Sequence, residues 1–249
     1  MARWMAGVLV AGVCVAAGAV PAQAHLRDYL VNEQYYTAKR GEFEVELWND
    51  YNLPEADQDG THNSKHQIEV EYGVTDHFQL AYYEVYTWDR AQDWARDGLK
   101  LEAKYRFAEA GQWPVDVAIY GEYANPNGSR DEHSDTLEGK LILSKDLGPW
   151  NLIGNVVFER EINAHEEWQL EVVGGVSYGV TPRVRLGMEL KDTLGALGDL
   201  GQTETQAAYL VPGVYVALTP HVRILVGPAF GLTEAADNLQ VHSIVEVEF

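Results

Sequence analysis

Few residues in this chain carry types and spacings that could do covalent chemistry. A serine hydrolase needs Ser and His side by side, with a third group orienting the His. His242 and Ser243 are adjacent but fall on opposite faces of an extended chain, and His133-Ser134 falls in a polar loop. Neither pair meets that requirement, so no catalytic residue is assigned. Asp57, Asp59, His62 and His66 could offer ligands to a metal ion. Gly60, however, comes too early for a calcium loop and no Glu follows at the required offset, so they read as a solvated loop. There is no phosphate-cradling glycine motif and no paired-cysteine site, and no metal or cofactor is expected.

The remaining chemically marked residues are charged, and they recur at every second position. From Gly98 to Phe107, Leu99, Leu101, Ala103, Tyr105 and Phe107 alternate with Lys100, Glu102, Lys104 and Arg106. Ile68, Val70 and Tyr72 alternate with Gln67, Glu69 and Glu71. Phe43, Val45 and Leu47 alternate with Glu42, Glu44 and Glu46. A period of two marks strands with one apolar and one polar face.

The pattern gives about twelve strands, within the range of membrane-spanning barrels. They fall at Gly41–Trp48, Lys65–Val74, His77–Thr87, Gly98–Phe107, Val115–Ala124, Thr136–Lys145, Trp150–Glu161, Trp168–Val180, Arg183–Asp192, Gln206–Leu218, His221–Phe230 and Leu239–Phe249. Tight links such as Thr75-Asp76, Thr181-Pro182 and Thr219-Pro220 alternate with longer polar connections such as Asn49–Ser64, Trp88–Asp97, Asn125–Asp135 and Thr193–Thr205. Short turns at one rim and loops at the other are the layout of an outer-membrane barrel, and an even strand count puts both termini at the short-turn rim. The fold expected is an all-β, transmembrane, antiparallel up-and-down β-barrel.

Composition agrees. The 249-residue chain is 46% hydrophobic and 11% aromatic, with 38 acidic against 18 basic residues and a net charge of −20. That acidity excludes a nucleic-acid partner. Arg3, the apolar run Met5–Val20 and Ala22-Gln23-Ala24 read as a secretory signal peptide over residues 1–24, cleaved before His25. The one cysteine, Cys14, lies inside it, so the exported chain holds together without disulfides. No later apolar run is long enough for a membrane-spanning helix.

Aromatic residues collect at strand ends, as rings at headgroup depth do. Tyr72, Phe78, Tyr105, Phe107, Trp113, Trp150, Tyr178, Tyr215 and Phe249 fall towards the short turns. Trp48, Tyr51, Tyr86, Trp88, Tyr123, Phe158, Trp168 and Phe230 fall towards the loops.

A charge at the lipid midplane costs about 2–4 kcal/mol, so the charged face should line the lumen. The expected lining is Glu42, Glu44, Glu46, Glu69, Glu71, Glu102, Glu246 and Glu248, with Lys100, Lys104, Arg106, Lys140, Arg183, Arg185 and Arg223. If the first and last strands pair, the acids of three adjacent strands form one sector needing water, a cation or basic side chains for balance. Cation-preferring passage of small solutes follows as the expected function. A non-conducting structural or adhesive barrel and a soluble barrel with a ligand inside are the alternatives. His25–Arg40 reads as a periplasmic tail or a plug.

Gly41–Trp48, Tyr72-Gly73-Val74-Thr75-Asp76 and the terminal Phe249 resemble a group of Gram-negative outer-membrane barrels that includes transporters and outer-membrane proteins of the phenol-degradation meta-pathway. The resemblance implies passage of small, even apolar, molecules and supplies no binding residue. The alternating last strand, ending on Phe249, resembles the signal that such barrels present to the barrel-assembly machinery. Outer-membrane lipid and that machinery are the partners it implies.

Overall fold

The structure, a computed structural model, describes residues 27–53, 63–89, 93–126, 135–162 and 167–249. The expected signal peptide, Asp57, Asp59, His62 and the His133-Ser134 pair lie outside the described residues. Twelve strands run in chain order: β1 (Phe43–Leu53), β2 (Asn63–Thr75), β3 (Phe78–Asp89), β4 (Asp93–Arg106), β5 (Asp116–Pro126), β6 (Thr136–Leu147), β7 (Trp150–Glu161), β8 (Gln169–Thr181), β9 (Val184–Ala196), β10 (Ala207–Thr219), β11 (Val222–Gly231) and β12 (Leu239–Glu248). Each pairs antiparallel with its sequence neighbours. β1 also pairs with β12, from Glu44 opposite Glu248 to Leu53 opposite Leu239, and closes the barrel.

All twelve expected strands are present. The main differences lie at the loop rim. β4 begins at Asp93 instead of Gly98 and β9 reaches Ala196 instead of Asp192, so sheet replaces what reads as loop. Charged and glycine-containing stretches such as Asp93–Gly98 look like turns in sequence, yet pairing with a neighbour carries them on.

The alternation resolves into an outward apolar face and an enclosed polar one. Phe43, Leu47, Ile68, Val70, Leu80, Leu101, Ile119, Leu141, Leu152, Val172, Leu186, Leu190 and Val226 are exposed on the outside. Glu46, Glu69, Gln79, Lys104, Glu189 and Glu246 are fully buried within. This inverts a soluble protein, where large apolar side chains go inside. It fits a barrel whose exterior solvent is acyl chain, and it removes the soluble alternative.

Two expected belt residues face the lumen instead. Tyr215 is buried and its hydroxyl donates to Glu189 at 3.1 Å. The Trp48 indole N–H donates to Glu69 at 2.9 Å. Position along a strand is the same for both faces, so nearness to a strand end did not distinguish them. The outer belt also has a polar interruption on β1–β4, at Asn49, Ser64, His66, Glu84 and Arg96.

Leu141, near the middle of β6, is 40% exposed on the outer wall. Leu141→Arg should lower unfolding free energy in lipid vesicles by about 2–4 kcal/mol, read from denaturant titration. An unchanged midpoint would contradict the assignment of the outer face.

Candidate functional site

The lumen is the candidate site, and the strand register dictates its composition. Because antiparallel partners share a face, carboxylates at matched positions form rows. Glu246, Glu46 and Glu69 lie in one row across β12, β1 and β2. The next row runs Glu248, Glu44 and Glu71, passes Ala81 on β3, and continues through Glu102, Glu122, Glu138 and Glu159 to β7. Glu248 ends β12 at the short-turn rim, while Glu159 stands near the loop end of β7. Strand tilt thus turns a row of paired residues into a ramp of acid climbing the barrel. Sequence reading found its β12–β1–β2 portion and Glu102. It missed Glu122, Glu138 and Glu159, although each sits on the polar side of an alternating strand.

Glu69, Glu71 and Glu102 each bring a carboxylate oxygen within 4.8 Å of the others, and all three are buried. Two ionised carboxylates at that spacing repel by about 3 kcal/mol or more at an effective dielectric of 20. Trp48 holds one oxygen of Glu69, and the Tyr83 hydroxyl donates to Glu102 at 2.6 Å. Among the described residues, Oε1 of Glu69, Oε2 of Glu71, Oε1 of Glu102 and both oxygens of Glu46 accept no hydrogen bond. The sector therefore has strong unspent demand for positive charge.

The basic residues answer part of it. Lys100 pairs with Glu122 at 2.9 Å, and Lys140 with Glu138 at 2.9 Å while lying 4.1 Å above the Tyr120 ring. Arg185 and Arg223 converge on Asp28, at 3.2 and 2.6 Å. Arg106 is buried on β4 and reaches Glu109 at 2.8 Å. Glu42 stands just ahead of β1 and pairs with Lys39 at 3.4 Å. Arg183 lies in the exposed turn between β8 and β9, outside both strands.

Residues 27–38 lie inside the barrel, and Lys39 and Arg40 are exposed. The backbone of this segment is held by side chains from opposite walls. Glu189 on β9 accepts hydrogen bonds from the N–H groups of Leu30, Val31 and Asn32 at 2.7, 3.0 and 2.8 Å, and from the Asn32 amide at 2.9 Å. Asn155 on β7 accepts from the Glu33 N–H at 2.6 Å and donates to the Glu33 carbonyl at 3.0 Å. Glu246 accepts from the Arg27 N–H at 2.8 Å, and Gln79 from the Ala38 N–H at 2.8 Å. An irregular segment has no ladder of its own, and these bonds satisfy it in the interior.

Its side chains also fit. Lys104 donates to Glu33 at 2.7 Å. Burial opposes ionisation of Glu33, but the charges of Lys104, Arg27 and Lys140 prevail and hold its carboxyl below the usual carboxylate range. The Arg27 guanidinium lies 4.3 Å over the Trp48 ring and 3.6 Å from Glu46. Leu30 packs against Val211, Tyr215, Leu225 and Ile244, and Tyr29 and Tyr35 against Ala118, Ile142 and Ile153. Gly73 and Gly175 leave the necessary room. A Cβ on Gly73 would fall 1.9 Å from the Lys39 carbonyl oxygen, and one on Gly175 would fall 2.9 Å from Tyr29 and Asn32. Sequence reading named this segment but not Glu189, Asn155 or Gln79, because isolated polar residues on a lumenal face carry no signal of what they bind.

These features define a closed, twelve-stranded, antiparallel up-and-down β-barrel with an apolar outer wall. No protein-family model and no curated protein matches the chain. Solved structures do. A "KdgM porin" superposes with a TM-score of 0.57 at 9% identity, covering 83% of this chain and 98% of that one. A "NanC porin" gives 0.57 at 13% identity, covering 82% and 98%. A KdgM porin in complex with disordered oligogalacturonate gives 0.56 at 10% identity. At these identities the likeness shows the shared fold.

Replacing Glu189 by Leu should release the segment, because three buried N–H groups would lose their acceptor at about 1–3 kcal/mol each. Amide exchange at Leu30, Val31 and Asn32 should then rise by about tenfold or more in a barrel that stays folded. Unchanged protection would show that the segment is held elsewhere.

Proposed function

We propose that the protein is an outer-membrane channel for small solutes, exported by a cleaved signal peptide and selective for cations. The observation that carries this reading is the ramp of lumenal carboxylates from Glu248 to Glu159, with oxygens of Glu69, Glu71 and Glu102 that accept no hydrogen bond among the described residues. A lumen of one sign lowers the barrier for the opposite ion. The porin fold supports a channel in general. The cargo does not follow from it, since the lining here is acid-rich. Oily solutes of the kind implied by the phenol-degradation resemblance suit that lining poorly.

The barrel-held segment 27–38 is a plug in this reading. It favours a second state, closed or weakly conducting, because its side chains take the space and the donors that permeant solutes would use. Both states belong to one protein if the segment moves.

Reversal potentials across planar bilayers in a salt gradient test the first claim. Cation preference is expected, and Glu46→Gln with Glu69→Gln should weaken it; anion preference in the wild type refutes it. Removal of residues 27–38 tests the second and should raise single-channel conductance severalfold. Equal conductance with and without the segment would end the plug reading and leave the selectivity claim standing.

A further inference from the structure

The polar interruption on the outer wall has an order that neither the fold nor a channel requires. Register places Asn49, His66, Tyr86 and Arg96 in one row across β1, β2, β3 and β4, with Tyr51, Ser64, Trp88 and Trp94 in the next. Ser64 and His66 are two residues apart on β2 and so share the outward face with Ile68, Val70 and Tyr72. The Ser64 hydroxyl lies 2.8 Å from Nε2 of His66. Nδ1 of His66 lies 2.8 Å from the amide oxygen of Asn49. A proton on Nδ1, donated to Asn49, leaves the Nε2 lone pair facing the serine. That is a nucleophile, a base and an orienting group in sequence.

The surroundings fit a lipid substrate. The His66 ring stands between Tyr51, edge-on at 5.6 Å, and Trp94 at 4.7 Å. Trp and Tyr rings at the loop end of a barrel mark the membrane interface, the depth at which a lipid's ester groups lie. Polar and charged groups on a lipid-facing wall are costly. Even so, Arg96 makes a two-bond ion pair with Glu84, at 2.7 and 3.2 Å, beside this site. A guanidinium there is suited to a phosphate headgroup. Ser64 is 4% exposed in a row with Tyr51, Trp88 and Trp94, so an ester reaches it when a neighbouring side chain moves aside; Trp94, against the His66 ring, is 62% exposed.

We propose that Ser64, His66 and Asn49 form an acyl-ester hydrolase site for membrane glycerolipids on the outside of the barrel. The Ser64 oxygen attacks the ester carbonyl carbon while its proton passes to Nε2 of His66. The tetrahedral adduct collapses, the C–O bond to the glycerol breaks, and His66 returns the proton to the leaving alkoxide. Water then adds to the acyl-serine, giving its proton to His66. Collapse releases the fatty acid and the proton returns to Ser64. No oxidant or reductant enters. Ser64 and His66 are the catalytic residues and Asn49 is a positioning residue. The inference does not depend on conduction through the lumen.

The test uses the full exported protein in detergent micelles, with folding of every variant checked by heat-modifiable migration. A fluorophosphonate probe should label Ser64, located by peptide mass spectrometry, and a short-chain phosphatidylcholine should be cleaved to lysolipid and fatty acid. Ser64→Ala should abolish both. His66→Ala should slow hydrolysis by about 10²–10⁴-fold. Asn49→Ala should slow it less, with rescue by Asn49→Asp, and Trp94→Ala should speed labelling. Absence of labelling and hydrolysis in the folded wild type overturns the proposal, and so does activity that survives Ser64→Ala. Bilayer conductance of the same samples reads the channel separately, so either reading can fail alone.

Discussion

Everything in this molecule depends on closure of the sheet. Hydrocarbon offers backbone N–H and C=O groups no partner, so a spanning sheet cannot leave an edge open. Pairing of Phe43–Leu53 with Leu239–Glu248 removes the last free edge. Closure also divides every strand into a lipid side and an enclosed side, and it is this division that gathers charge into the lumen. It brings β12 against β1, so glutamates about two hundred residues apart in sequence (Glu46 and Glu246) become direct neighbours.

The enclosed acid is then balanced piecemeal. Lys100 and Lys140 serve the loop-side part of the ramp, while Lys104, Arg27, Arg185 and Arg223 serve the region where the N-terminal segment crosses. Two of the partners in that crossing region, Asp28 and Glu33, belong to the segment itself. The segment is therefore part of the electrostatic balance of the wall as well as an occupant of the space, and its removal would take Arg27 from Glu46, Glu33 from Lys104, and Asp28 from Arg185 and Arg223.

How much of this was legible in the sequence follows from what each feature depends on. Period-two alternation is local, so all twelve strands could be read from Gly98–Phe107 and its counterparts. The acid of β12, β1 and β2 was legible because Glu recurs there at every second position. The continuation through Glu122, Glu138 and Glu159 depends on register, which no single strand encodes. The same limit hid the outer-wall site. Ser64 and His66 share a face by spacing alone, but Asn49 joins them only through the pairing of β1 with β2. The inward turn of Trp48 and Tyr215 could have been read from parity, since Trp48 shares the face of Glu44 and Glu46. The grip of Glu189 on Leu30, Val31 and Asn32 joins residues about 160 apart and has no sequence signature.

The anchors of the N-terminal segment carry a consequence for the order of assembly. Glu189, Arg223 and Glu246 stand on β9, β11 and β12, among the last parts of the chain to emerge from synthesis. Residues 27–33 have no complete binding surface until those strands are in place. Contacts of such long sequence separation form late because their loop entropy must be met first. Residues 27–33 are therefore the last to become ordered, and their docking marks completion of the wall around them.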